Sequence, residues 1–123
     1  DLIVKGKWTP ACGAAGVDTL LSRQVNFTAL VASNDDMAIG AMKQLHAHGV
    51  SVPAQVSVIG FDDIAIAPYT IPALSSVKIP VTEMIQETIG RLIFMLDDGA
   101  FTPPKTFTGE LIQRDSVAPL VLR

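Results

Sequence analysis

The chain is 123 residues long, 49% hydrophobic and 17% charged, with 9 Lys+Arg against 12 Asp+Glu and a formal charge of −3. That is one globular domain at most, with enough apolar mass for a core and none of the clustered basic residues that binding phosphate requires, so this segment is not expected to bind nucleic acid itself. No window approaches the roughly 18 consecutive apolar residues of a membrane helix, Asp1 to Lys7 lack the layout of a signal peptide, and the single cysteine, Cys12, excludes a disulfide framework.

A soluble, cytoplasmic chain is expected. It opens without methionine, and Leu2-Ile3-Val4 reads as the end of a strand whose beginning is missing, so a fragment is expected. Thr9-Pro10 starts a first helix, because a threonine cap accepts a backbone N–H and proline at the first helical position loses only an N–H that was unpaired anyway. The helix should run from Pro10 to about Ser22 with a modest apolar side of Ala14, Val17, Leu20 and Leu21, and Cys12 in its first turn reads as a small buried thiol. Gly13 and Gly16 weaken it by about 1 kcal/mol each relative to alanine, so packing has to hold it. Phe27 to Ala32 is short and nearly continuous in apolar residues, the pattern of a strand buried on both faces of a parallel sheet.

The next unit is the clearest. Ser33, Asn34 and Asp35 supply cap chemistry, Met37, Ala38, Ala41, Met42 and Leu45 recur at helical spacing, and Gly49 falls where a left-handed residue ends a helix. Val50 to Pro53 is a return loop and Val56 to Gly60 a second buried strand, which completes a right-handed parallel crossover. The fold class is therefore α/β, an open parallel sheet with flanking helices. Pro68, Pro72 and Pro80 punctuate a loop-rich stretch with room for one extended piece, Ser75 to Ile79. A third helix is expected from Thr82 to Leu96, with Ile85, Ile89, Leu92, Ile93 and Leu96 as its stripe and Gly99 just past its end. Pro103-Pro104 bars any continuation, and Thr106 to Val117 suggests a pair of short strands.

Ligands of an open parallel sheet collect beyond the carboxyl ends of its strands, where helix N-termini point free N–H groups outward. Ser33-Asn34-Asp35-Asp36 and Asp62-Asp63 occupy that place, and Asn34 and Asp62 would face one crevice if their strands are neighbours. Carboxylate plus carboxamide suits a sugar, since Asp accepts from vicinal hydroxyls while Asn donates and accepts. Trp8, just before the first helix, is the right type of residue to cover a pyranose ring. Blander readings stand beside these: a helix cap for Asn34, Asp35 or Asp36, a solvated turn for Asp62-Asp63, a hydrophobic staple for Trp8. Asp35, Asp36, Asp62 and Asp63 together also suit a divalent metal in an enzyme, but there is no Gly-rich phosphate loop, nucleophile elbow or well-placed histidine. His46 and His48 read as solvated or as dipole partners at a helix end.

The string Val31-Ala-Ser-Asn-Asp-Asp-Met-Ala-Ile-Gly-Ala-Met42, with Gly49-Val-Ser-Val-Pro53 and Val56-Ser-Val-Ile-Gly-Phe-Asp-Asp63, closely resembles the effector-binding core of the LacI/GalR family of bacterial transcriptional repressors. The resemblance runs on through Tyr69, Pro72, Ser75-Ser-Val-Lys-Ile-Pro80 and Leu111-Ile-Gln-Arg-Asp-Ser-Val-Ala118, and within the family it is nearest to repressors of cryptic β-glucoside (arbutin, salicin, cellobiose) operons of enteric bacteria. It implies an incomplete C-terminal lobe of the type I periplasmic-binding-protein-like fold. It also implies that Asn34 and Asp62 hydrogen-bond effector hydroxyls, that Trp8 lines the sugar and Phe61 lies beside the pocket, and that Ile39, Met42 and Tyr69 belong to a dimer interface, with a core role open for Met42.

By the same resemblance, the helix-turn-helix, most of the N-terminal lobe and an effector-contacting arginine precede this segment, and the helix over residues 82–96 belongs to the other lobe. The function implied is the sugar-sensing effector-binding and dimerisation module of a repressor, with no catalysis and no cofactor. Its partners would be a small-molecule sugar or β-glucoside, a second copy of the chain, and operator DNA through the N-terminal domain. The alternative is a periplasmic sugar-binding protein of a transport system, against which stand Asp63, Arg114-Asp-Ser and the apolar dimer candidates.

Overall fold

Helix α1 (Pro10–Ser22) begins as its sequence requires: Thr9 is extended and its hydroxyl accepts the Cys12 N–H at 3.4 Å, in a computed structural model that describes residues 2–98 and 103–120. Helix α2 (Asp35–Ala47) starts from Asn34 and ends before Gly49, whose φ of +72° is the left-handed conformation glycine tolerates. The two helices lie side by side with no room for side chains at the contact. A Cβ on Gly13 would fall 2.0 Å from the Met37 carbonyl oxygen, and one on Gly40 would fall 1.8 Å from that of Pro10. Gly13 thus weakens the isolated helix and makes the helix pair possible.

Strands β1 (Ala29–Val31), β2 (Ser57–Asp62), β3 (Ser75–Lys78) and β4 (Glu110–Ile112) form one sheet in that order. The first three are parallel, as the crossover requires, and β4 pairs antiparallel with β3. The parallel core therefore carries an antiparallel edge strand, a common arrangement in α/β folds. A 3-10 turn (Ala67–Tyr69) precedes β3, and Leu74 folds back to donate to the Ala67 carbonyl. The core lies between the helix pair and one face of the sheet: Val17, Ala38, Ala41, Met42 and Leu45 from the helices, Ala32, Val56, Val58, Ala67 and Leu74 from the strands and their ends.

Several expectations need correction. The segment Phe27 to Ala32 is not buried on both faces, since β1 is an edge strand whose Val31 is 80% exposed. β2 continues two residues past Gly60, because Phe61 and Asp62 still pair with Val77 and Lys78. Within Thr106 to Val117 there is one strand, β4, not two. Cys12 is only partly buried, and hydrogen bonds from the Lys7 backbone and the Thr9 side chain pull its thiol pKa down. His48 is not merely solvated: its Nε2 lies 2.7 Å from Asp18 Oδ1, Gln44 Nε2 donates to the same oxygen at 2.7 Å, and these contacts between α1 and α2 hold the Asp18 carboxyl below the usual range.

Helix α3 (Val81–Asp98) is slightly longer than expected, and its stripe is open to solvent, with Ile85, Ile89, Leu92, Ile93 and Leu96 between 52% and 77% exposed. Gly99, expected as its terminator, lies outside the described residues.

The helix contact yields a paired test. Gly40→Ala forces α1 and α2 apart and should cost about 1–3 kcal/mol. Gly16→Ala, whose Cβ meets nothing within 4 Å, should instead gain about 0.5–1 kcal/mol by urea denaturation.

Candidate functional site

Asn34 is extended, with φ −152°, and its Oδ1 accepts the Met37 N–H at 2.9 Å. The cap role is therefore real, yet it uses one oxygen and leaves the amide nitrogen to other work. Asp35, the first helical residue, is fully buried and faces the sheet. Its Oδ1 accepts the Ser76 hydroxyl at 2.6 Å and its Oδ2 accepts the Ile64 N–H at 2.9 Å. A Cβ on Gly60 would lie 2.0 Å from that Oδ1, so glycine at this point of β2 lets the start of α2 reach the sheet. Asp36 is exposed.

The Asp62-Asp63 pair is a built turn, not a loosely solvated one. Both residues have positive φ, 105° and 54°, rare for residues other than glycine. The Asp63 N–H donates to Ser76 Oγ at 3.0 Å, and its carboxylate meets Arg114 Nη2 at 2.6 Å with side chains only 13% and 16% exposed. Arg114 is held in turn, its Nη1 donating to the Leu74 carbonyl at 2.7 Å and its backbone N–H to Ser75 Oγ at 2.8 Å. Ser116, fully buried in the tail, donates to the Val58 carbonyl at 2.6 Å and accepts the Ser75 N–H at 2.8 Å.

Asp62 closes β2, in register with Lys78, which is in register with Glu110. It lines a crevice of about 530 Å³ with Lys78, Thr82, Glu83, Thr108 and Glu110. Partial burial, and after it the negative charges of Asp35 and Asp36, push the Asp62 carboxyl above the usual aspartate range.

Asn34 therefore stands just past the carboxyl end of β1 and Asp62 at the carboxyl end of the neighbouring parallel strand β2, and the Ile64 N–H bonded to Asp35 Oδ2 sets the Asp62-Asp63 turn beside the start of α2. Of the four expected ligand residues, Asp62 alone lines the crevice among the described residues. Trp8 is 68% exposed ahead of α1, and Phe61 is 38% exposed on the opposite face of β2 from Asp62. Tyr69 is 78% exposed, Ile39 is half-buried against the core, and Met42 sits inside the core at 6%.

The four-carboxylate metal site does not assemble, since Asp35 is committed to Ser76 and Ile64, and Asp63 to Arg114. Sequence reasoning missed Lys78, Thr108 and Glu110 as neighbours of Asp62. For Lys78 a signal existed, since period-two counting from Ser76 puts it on the face that Asp35 touches.

The periplasmic binding protein-like domain matches residues 3–117, and the chain belongs to that family. It is 78% identical over 119 residues to the HTH-type transcriptional regulator AscG of Escherichia coli (strain K12), a match covering 96% of this chain and 35% of that protein. To GalR of Salmonella typhimurium (strain SL1344) it is 37% identical over 119 residues, 95% of this chain and 34% of the relative. The crystal structure of the Escherichia coli transcriptional repressor ascG matches with a TM-score of 0.83 at 78% identity, covering 94% of this chain and 42% of that one. The lac repressor dimer bound to operator and the anti-inducer ONPF matches with a TM-score of 0.87 at 27% identity, covering 93% and 40%. The relatives are thus LacI/GalR-type transcriptional regulators, as residues 31–42 and 56–63 implied, and the chain spans about a third of the length of the curated relatives. No helix among the described residues is long and apolar enough to cross a membrane.

The raised Asp62 pKa has a sign. Below the ordinary aspartate pKa of about 3.9 the group is protonated whether the chain is folded or not and costs nothing. As pH rises through that value the unfolded chain ionises first, so folding loses stability until Asp62 ionises in the folded state as well. Asp62→Asn should therefore raise the melting temperature at neutral pH, with the gain vanishing in an acid series.

Proposed function

We propose that this chain is the C-terminal part of the effector-binding and dimerisation module of a sugar-responsive, DNA-binding repressor of LacI/GalR type, cytoplasmic and without catalytic activity. The observation that carries this reading is the Asp62 carboxylate, held on a fixed turn at a polar crevice beside the capped start of α2. A carboxylate accepts from two adjacent hydroxyls, and an amide nitrogen at Asn34 adds directional recognition. With Asp62, Glu83 and Glu110 against Lys78 on the crevice wall, a neutral sugar or β-glucoside suits it better than an anion.

In this reading the exposed stripe of α3 packs into a second lobe, which brings the remaining ligand contacts, Trp8 and Phe61 border the sugar, and ligand closes the lobes over the crevice. Closure alters operator affinity through a coupling free energy of about 1–3 kcal/mol. A second copy docks through Ile39 and Tyr69, with Met42 supporting that surface from the core. Operator DNA is bound through an N-terminal domain, which accords with the scattered basic residues here. The regulator relatives support this over a transport binding protein.

Two substitutions in the full-length protein test it. Asp62→Ala should abolish the response of operator binding to effector while leaving operator affinity intact in gel shift, and a wild-type response sinks the assignment. Asn34→Ser keeps a hydroxyl cap, so stability should change by less than about 0.5 kcal/mol while effector affinity falls. Equal losses in both would make Asn34 a cap only.

A further inference from the structure

The turn that presents Asp62 is held by groups drawn from three separate parts of the chain that do not themselves line the crevice. The Ser76 hydroxyl in β3 accepts the Asp63 N–H at 3.0 Å while donating its only proton to Asp35 Oδ1 at 2.6 Å, which aims its lone pair at the turn. The other oxygen of Asp35, at the start of α2, accepts the Ile64 N–H at 2.9 Å, so the backbone is gripped on both sides of the Asp63 carbonyl. From the tail, Arg114 clamps the Asp63 carboxylate at 2.6 Å and is braced on the Leu74 carbonyl at 2.7 Å.

This grip acts on two consecutive residues with positive φ, a conformation that non-glycine residues leave unless the surroundings impose it. Asp35 and Ser76 are fully buried and do not line the crevice, and neither does Arg114. They touch the ligand residue only through the backbone and through its neighbour.

We propose that Asp35, Ser76 and Arg114 are positioning residues of the ligand site, which act through Asp63 and Ile64 to fix the backbone that carries the Asp62 carboxylate. The proposal deepens the effector reading and rests on it for the role of Asp62, whereas the geometry of the turn stands independently. It follows that neighbouring residues of the Asn34-Asp35 motif do different work: Asn34 caps α2, and Asp35 sets where the Asp62 carboxylate can be. The same logic gives the Arg114-Asp-Ser sequence of the tail a role at a crevice it does not line.

The test uses the full-length protein and two readouts. In hydrogen–deuterium exchange, Ser76→Ala should accelerate exchange of residues 62–64 by roughly tenfold or more while α1 keeps wild-type protection, and Ser76→Thr, which keeps the hydroxyl, should restore it. In calorimetry with arbutin, salicin and cellobiose, Ser76→Ala and Arg114→Gln should weaken whichever glucoside the wild type takes by roughly tenfold, with operator affinity unchanged. Equal acceleration throughout the lobe would show a general structural role and overturn the proposal. So would a loosened turn with glucoside affinity within about twofold of wild type. If Ser76→Ala fails to fold, Arg114→Gln reads the same turn from the tail. Should the wild type take none of the three glucosides, the effector reading loses its support for that sugar class, and the exchange experiment still decides whether the turn is held.

Discussion

A single buried carboxyl, that of Asp35, sets how the helices meet the sheet. It enters at the first turn of α2 with no exposed surface and must find partners for both oxygens. Each buried polar atom left unpaired costs about 1–3 kcal/mol, so the Ser76 hydroxyl and the Ile64 N–H are conditions of the fold and not embellishments. The same demand leaves glycine as the only residue that fits at position 60 of β2. One side chain thereby fixes the start of α2, the spacing of β2 from that helix, and the direction in which the chain leaves β2.

Much of this architecture was legible because it rests on local chemistry. The Thr9-Pro10 start, the Asn34 cap and the Gly49 stop each have a short-range cause, and both helices begin, and α2 ends, where those causes put them. The crevice was legible in part. Asp62 follows from where a parallel strand ends, while Lys78 and Glu110 join it only through strand register. The link between Asp63 and Arg114 spans 51 positions and has no local signature. A continuous apolar run such as Phe27 to Ala32 says that cover is wanted but not what supplies it, and the exposed Val31 is the result. His48 and Asp18 meet only because α1 and α2 lie together.

Burial and electrostatics pull in the same direction at the crevice. Partial burial, and after it the charges of Asp35 and Asp36, make the Asp62 charge less comfortable than in water, as its raised pKa records. The exposed apolar stripe of α3 and the exposed Val31 of β1 are a second kind of unmet demand, apolar and not polar.

The glycine contact between α1 and α2 has a mechanical consequence. Two helices whose backbones touch at Gly13 and Gly40 have no layer of side chains to shear across, and such a pair behaves as a stiff beam. Asn34 stands at one end of α2 and Ile39 along its flank, so their separation is as constant as the beam itself. A side chain added at either contact would have only backbone to press against, so it would displace a whole helix where elsewhere a rotamer could yield.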